Sequence, residues 1–351
     1  MELEEIMQES IELMENDFYS KPFEFSYSSL NKLMWSPQVF YQLYVLGNKE
    51  ERTESYLVNG KIIHALLLEE AKFNDQFIIS PTNLPTGSTR TVVDRVFYHH
   101  LELASSGDQR TEFNEFSDAV LDVLKDMNLH QSLVDDKKTG ITGDQKRIDK
   151  MYTAEAESYW NFLKTKGNKT LIDQETYDFC KTGVDLIKSN KDICSLIGCD
   201  VTEFDNKEVY NELPLNCSMI DKSFGLKGIV DNLVIDHDKK IIYINDIKTT
   251  SKDLKDFPES IEFYNYWMQA AIYITMIAVK YMNLIDHNKY QIKFHFVVID
   301  KMYQVYAFPV RHETMTAWFN KLTDVLNKAE WHYSNKDFTL PYEFATGSVT
   351  L

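Results

Sequence analysis

The chain has 351 residues, 44% of them hydrophobic and 26% charged, which describes a globular protein with enough material for a substantial core and excludes a disordered one. Lys and Arg number 37 against 54 Asp and Glu, so the formal net charge is −17; that argues against a broadly nucleic-acid-coated surface but leaves room for a local basic channel. Four irregularly spaced cysteines, Cys180, Cys194, Cys199 and Cys217, contain no Cys-x-x-Cys pair, support neither a zinc site nor an iron–sulfur cluster, and predict reduced thiols in a cytoplasmic protein.

Met1–Asp17 is acidic and lacks an apolar core segment, so it does not read as a signal peptide; residues 1–20 predict an acidic amphipathic helix. Ser26-Tyr27-Ser28-Ser29-Leu30 supplies capping hydroxyls for a helix over Asn31–Trp35, and Ser36-Pro37 starts the next one. Tyr56–Glu70 has helical spacing and carries Gly60 and His64 on one face. Pro81, Pro85 and Gly87 mark a loop. Helical patterns dominate 91–130, a polar stretch at 135–146 predicts a loop, and helices resume over 147–165 and 173–196. Lys137, Lys138, Lys146, Arg147 and Lys150 are the candidates for a local basic channel.

After Gly198 the character changes. Glu208–Ile220 reads as strand, and two β-rich runs at 226–236 and 240–249 flank a polar Asp236–Lys240 turn, as in a hairpin. A long helix follows near 259–282. Its Tyr264–Tyr281 stretch is the most apolar in the chain, but Asn265, Gln269, Thr275 and Lys280 make it a buried helix and not a membrane span. Tyr290–Ile299 and Tyr303–Val310 predict two more strands, and Glu313–Tyr333 another helix. The expected organisation is a helical N-terminal portion, 1–197, and a mixed α/β core, 198–351, packed as one unit.

The hairpin carries the chemistry. Asp246 and Lys248 are two apart on one strand and share a face. With the turn centred on Asp238-Lys239, Asp231 falls opposite Asp246, with Cβ atoms roughly 5 Å apart. Carboxylates that close repel by about 1 kcal/mol in water and about 4 at an intermediate dielectric; a divalent cation reverses the sign. A slip of one residue would move Asp231 to the other face and dissolve the site. Asp246 also ends the apolar run Ile241-Ile242-Tyr243-Ile244, where a charge is costly unless paired or coordinated.

Ile229-Val230-Asp231 followed by Asp246-Ile247-Lys248 resembles the signature of PD-(D/E)XK nucleases, and the element order after about residue 173 resembles their core. Ser26–Leu30 with Ser36-Pro37 and Phe40, the Gly60-x-x-x-His64 helix, and Tyr266-x-x-Gln269-x-x-x-Tyr273 are similar to motifs of RecB-like and exodeoxyribonuclease VIII-like members. The interval 90–195 matches no such motif. The resemblance implies that Asp231, Asp246 and the Ile247 carbonyl hold Mg²⁺ or Mn²⁺, with His64 near the metal or the scissile phosphate and Glu212 a lesser ligand. Lys248 would position the attacking water. Gln269, Tyr273 and Tyr266 would brace the site or orient the substrate. Asp246 stands where many members have Glu, which leaves the chemistry intact, and Ser36 stands where some RecB-like relatives carry a cluster-binding cysteine.

The function implied is exonucleolytic hydrolysis of duplex DNA from an end, 5′ to 3′, in recombination or repair of the phage type. A ring-shaped homo-oligomer with a basic interior and a single-strand annealing recombinase as partner are implied with it. Arg90, Arg95, Lys146 and Arg147 are the expected DNA contacts. The alternatives are a structure-specific or single-strand endonuclease with the same chemistry, and a non-catalytic DNA-binding or assembly module.

Overall fold

Ser26 and Ser29 start the architecture. In the computed structural model, which describes residues 11–48, 55–81 and 84–349, the Ser26 hydroxyl accepts from Ser29 N and the Ser29 hydroxyl from Ser26 N. This capping box follows β1 (Glu24–Phe25) and opens α1 (Tyr27–Trp35). Ser36 caps α2 (Pro37–Phe40), which runs on into a π-turn at Tyr41–Val45. Of the acidic helix expected over 1–20, residues 1–10 lie outside the described residues and 11–18 are helical; its Phe18 and Tyr19 rings rest against Tyr333. Next come α3 (Ser55–Leu68), α4 (Phe73–Gln76), β2 (Phe77–Ile79), α5 (Gly87–Ser105), α6 (Ser117–Asp126), α7 (Gly143–Asp149), α8 (Ala154–Lys166), β3 (Thr170–Ile172), α9 (Gln174–Ser189) and α10 (Lys191–Ile197).

The second half is β4 (Lys207–Ser218), β5 (Gly225–Asp236), β6 (Ile241–Thr250), α11 (Phe257–Phe263), α12 (Tyr266–Lys280), β7 (Gln291–Asp300), β8 (Val305–Pro309), α13 (His312–Asn335) and α14 (Tyr342–Ala345). The single helix expected over 259–282 is two. Asn265 adopts φ 57°, a left-handed conformation that asparagine tolerates, and its side chain accepts from Trp267 Nε1 (3.0 Å) and donates to Asn31 (2.8 Å).

Six strands make one mixed sheet in the order β1-β5-β6-β7-β8, with β4 also paired to β5. β4, β5 and β6 run antiparallel; β7 is parallel to β6 and β1 to β5. The hairpin register is the one the sequence predicts: Asn232 pairs with Asn245 and Asp236 with Ile241. Beyond Asn232 the two strands part, and β5 takes up β1 instead through Glu24↔Gly225 and Phe25↔Leu226. Burial follows the fork. Lys227 and Ile229 are exposed before it, whereas every residue from Val230 to Asp236 is buried.

One ladder of amides, buried at Asn232 and Asn245 and reaching the surface at Asn211, crosses the sheet beside the fork. Asn245 Nδ2 donates to Asn232 Oδ1 (2.7 Å), and Asn232 Nδ2 donates to Asn211 Oδ1 (2.8 Å). Asn211 Nδ2 donates to the Leu68 carbonyl at the end of α3 (2.9 Å). Asn232 and Asn245 reach the Ile197 and Leu196 carbonyls at the end of α10 (3.0 and 3.1 Å). Helix ends leave carbonyls without intrahelical partners, so the ladder satisfies them while tying α3 and α10 to three strands.

The chain divides into two compact units, Met1–Ala71 with Asp178–Leu351, and Lys72–Tyr177. This differs from the expected boundary at 197/198. The reason is packing: Phe25, Leu30, Leu33 and Phe40 belong to the same core as Leu226, Ile244, Ile272 and Phe296. The second unit has its own core, with Val92, Val96, Phe116, Val120, Leu124 and Ala156 around Trp160, whose Nε1 donates to the Thr111 carbonyl (2.8 Å). It also pairs β2 with β3 in parallel. Among the described residues no helix is long and apolar enough to cross a membrane, and α12 is buried along most of its length.

Candidate active site

Three carboxylates fall in one row across β4, β5 and β6. One step beyond Asn232↔Asn245, the register sets Asp231 opposite Asp246 at the mouth of the fork. The β4–β5 ladder sets Glu212 opposite Asp231, between the pairs Asn211↔Asn232 and Leu213↔Val230, but skips the Glu212 position itself. Glu212 has φ 45°. A left-handed non-glycine residue inside a strand costs about 1–2 kcal/mol, which the surrounding ladder holds in place.

α3 delivers His64 to this row. His64 Nδ1 lies 3.0 Å from Glu212 Oε1, and Nε2 lies 3.1 Å from the Ile247 carbonyl and 3.7 Å from Asp231 Oδ2. Burial lowers the affinity of the ring for its second proton, but the Asp231 charge and the Glu212 hydrogen bond outweigh it and raise the pKa to about 9. Both nitrogens can then donate, one to each oxygen partner. Gly60 sits one turn earlier; a methyl there would lie 3.5 Å from Thr249 Oγ1, an ordinary contact, so packing alone does not demand glycine.

At the fork Asp231 accepts a hydrogen bond from Ile247 N (2.7 Å), which replaces a strand-to-strand bond with a side chain-to-strand one. Asp246 is fully buried; its Oδ2 is 2.5 Å from Lys248 Nζ, and its Oδ1 has no hydrogen-bond partner among the described residues. Burial pushes the Asp246 carboxyl up to about 6, with Lys248 pulling it down and the Asp231 charge adding to the rise. For Lys248 burial works against the charged form, yet Asp246 and then Asp231 hold its pKa above the usual value. Its ammonium also lies 5.0 Å from the centre of the Tyr266 ring.

A groove of about 680 Å³ opens beside Asp231, bordered by Ser26, Tyr27, Lys227, Ile229, Gln269 and Tyr273. Gln269 Nε2 donates to the Tyr273 hydroxyl (2.8 Å). Burial, then the charges of Asp231 and Asp246, raise the Tyr273 pKa well above normal, so the phenol keeps its proton beside the acids. Gly228 lets that ring approach: a Cβ at 228 would stand 2.9 Å from Tyr273 Cε1 and 3.0 Å from Met276 Cε.

The structure thus gathers Asp231, Asp246, Ile247, Lys248, His64 and Glu212 at one point, with Tyr266 under Lys248 and Gln269 and Tyr273 along the adjoining groove. The expected DNA contacts lie in the second unit, each engaged locally. Arg90 pairs with Asp94 (3.8 Å), Arg95 with Asp126 (2.7 Å) and Arg147 with Asp144 (3.1 Å), while Lys146 Nζ donates to the Val134 carbonyl (3.1 Å). Two features went unread in the sequence. Tyr27, whose hydroxyl donates to the Tyr264 carbonyl (2.5 Å), has its pKa raised by burial and by the nearby Tyr266 and Asp246. The amide ladder was signalled only by an asparagine adjoining each acid: Asn211 by Glu212, Asn232 by Asp231 and Asn245 by Asp246.

The donors suit a hard divalent cation. His64, Glu212 and Asp231 offer ligand atoms that all lie within 4.8 Å of one another, and the unpartnered Asp246 Oδ1 and the Ile247 carbonyl add oxygens at the same fork. A mixed sheet that forks at paired aspartates, with a lysine two residues beyond the second, defines a metal-dependent nuclease core. The PD-(D/E)XK nuclease superfamily description matches residues 24–338, and the chain belongs to that superfamily. No curated protein matches. Among solved structures, the chain is similar to a Eubacterium rectale protein named provisionally as an exonuclease, with 10% identity, a TM-score of 0.42, and coverage of 93% of this chain and 83% of that one.

Proposed function

We propose that the protein is a metal-dependent DNA exonuclease. The observation that carries the reading is the row Glu212, Asp231, Asp246 with Lys248 two residues beyond, closed over by His64. Asp231, Asp246 and the Ile247 carbonyl would hold Mg²⁺ or Mn²⁺, with His64 and Glu212 completing the set. The cation supplies Lewis acidity toward the scissile phosphate.

The chain's own groups do the rest. Lys248, kept protonated by two buried aspartates, donates to the attacking water or to a phosphate oxygen, and its charge offsets the charge that develops on the phosphorus centre. Asp246 Oδ2 holds that ammonium in place, while Oδ1 stays available to the cation. The protonated Tyr273 phenol, oriented by Gln269, donates toward the groove and keeps the strand in line with Asp231.

Action from duplex ends, 5′ to 3′ polarity, a 3′ single strand as product and a role in recombination or repair come from the family resemblance, as do a ring-shaped homo-oligomer and a single-strand annealing recombinase as partner. The test is digestion of end-labelled linear duplex with Mg²⁺ beside a closed circle of the same sequence. The reading expects loss of the 5′ label first and an untouched circle. Early loss of the 3′ label overturns the polarity, and cutting of the circle overturns the exonuclease assignment. Survival of activity in Asp246→Ala or Lys248→Ala overturns the site.

A further inference from the structure

We propose that Phe263 and Tyr264, at the break between α11 and α12, form a stacking platform for an unpaired nucleobase next to the scissile phosphate. Phe263 is 75% exposed and Tyr264 45%, unusual for large aromatic side chains this close to a buried site. Their position is what distinguishes them from scattered surface apolar residues. The Phe263 and Tyr264 rings meet edge to face at 4.8 Å, Tyr264 lies 5.4 Å from Tyr266 at a shallow 30°, and Tyr266 sits 5.0 Å beneath the Lys248 ammonium. A continuous run of rings therefore leads from solvent to the lysine of the site.

The platform is held in place. The Tyr264 carbonyl accepts from Tyr27, and the left-handed Asn265 is tied to Asn31 and Trp267 on either side. Holding a ring before the ligand arrives reduces the ordering cost of binding. Charge suits a nucleotide as well. The exposed Lys252 has its ammonium 5.9 Å from the Phe263 ring, and the neighbouring Glu262 carboxylate is already paired with Lys321 at 2.7 Å. An aromatic face with a cation beside it accepts a base and its phosphate, and it does so for any base, because every base offers a π-face. A base inside a duplex has no free face, so the platform selects an end whose terminal pairs are opened. That substrate preference rests on the nuclease reading of the site.

The experiment uses the full-length protein and single-stranded oligonucleotides carrying 2-aminopurine, whose fluorescence is quenched on stacking, at successive positions from the end. Binding is followed with Ca²⁺ in place of Mg²⁺, and cleavage is measured separately with Mg²⁺. Quenching is expected at one position, with Phe263→Ala abolishing it and weakening binding roughly 5- to 10-fold, the low end of base–aromatic stacking. Phe263→Trp should restore both, and an abasic sugar at the quenched position should remove the difference between wild type and Phe263→Ala. Unchanged quenching and affinity in Phe263→Ala, in a protein that still cleaves DNA, overturn the platform alone. Phe263-dependent quenching in a protein that cleaves nothing supports the platform and overturns the nuclease reading.

Discussion

Replacing Asp246 with asparagine separates what the carboxylate does for the fold from what it does for the metal. Asparagine matches the protonated acid in shape and lacks its charge. In the wild type the carboxyl titrates at about 6, pushed up chiefly by burial, against about 3.9 in an unfolded chain. The folded state therefore binds this proton more tightly than the unfolded one. Stability is highest where the proton is on, falls as pH rises through the interval from about 4 to 6, and stays reduced above it. About two pH units at 1.36 kcal/mol each give a cost of about 3 kcal/mol at pH 8. In the presence of a chelator, urea unfolding at pH 8 should find Asp246→Asn about 2–3 kcal/mol more stable than wild type, and the gap should close as pH falls through 6. With Mg²⁺ at a hundred times its dissociation constant the wild type should recover about 2.7 kcal/mol, and the variant little of it. A variant less stable than wild type under chelation would mean that Lys248 depends on its partner more than burial penalises Asp246. A gap independent of pH would refute the reasoning altogether.

The remaining predictions concern the neighbouring elements. Glu212→Gly should be about 1 kcal/mol more stable than Glu212→Ala, because only glycine relieves the φ of 45°, while both lose metal affinity by calorimetry; equal stabilities would deny the strain. Gly228→Ala should lower stability by about 1–3 kcal/mol and slow cleavage severalfold by pushing the Tyr273 ring, and Gly228→Ala paired with Tyr273→Leu should regain the stability but not the rate. His64 has its pKa raised to about 9, so its stabilising contribution in the metal-free protein is complete below pH 6.5 and lost as pH rises through 9. The margin of wild type over His64→Ala under chelation should accordingly shrink by up to about 3 kcal/mol between pH 6.5 and pH 10.

Much of the β5–β6 hairpin was legible because strand pairing is arithmetic. A turn centred on Asp238-Lys239 fixes every partner between Asp231 and Asp246, and the observed register is that one. The helical spacing of residues 56–70 and the Ser36-Pro37 start placed their helices for equally local reasons, whereas the helix expected from Asn31 begins at Tyr27 because Ser26 is its cap. The break at Asn265 could not be read, since an apolar run of that composition favours one long helix, and the left-handed turn is held by a tertiary bond to Asn31 together with a local one from Trp267. Glu212 showed the same limit. Its place on a strand was visible, whereas the kink that brings its carboxylate to His64 depends on a helix more than a hundred residues earlier in the chain. The unit boundaries escaped because the first 71 residues supply core side chains and the short edge strand β1 to a sheet whose other strands begin only at Lys207.

The amide ladder of Asn211, Asn232 and Asn245 gives the fold a second kind of resilience. The carboxylate row beside it is a set of like charges whose mutual repulsion changes with every ion and proton that comes or goes. Amides do not titrate and bind Mg²⁺ weakly, so the register they fix is indifferent to those changes. A mutation that erases an acid therefore leaves a correctly assembled sheet.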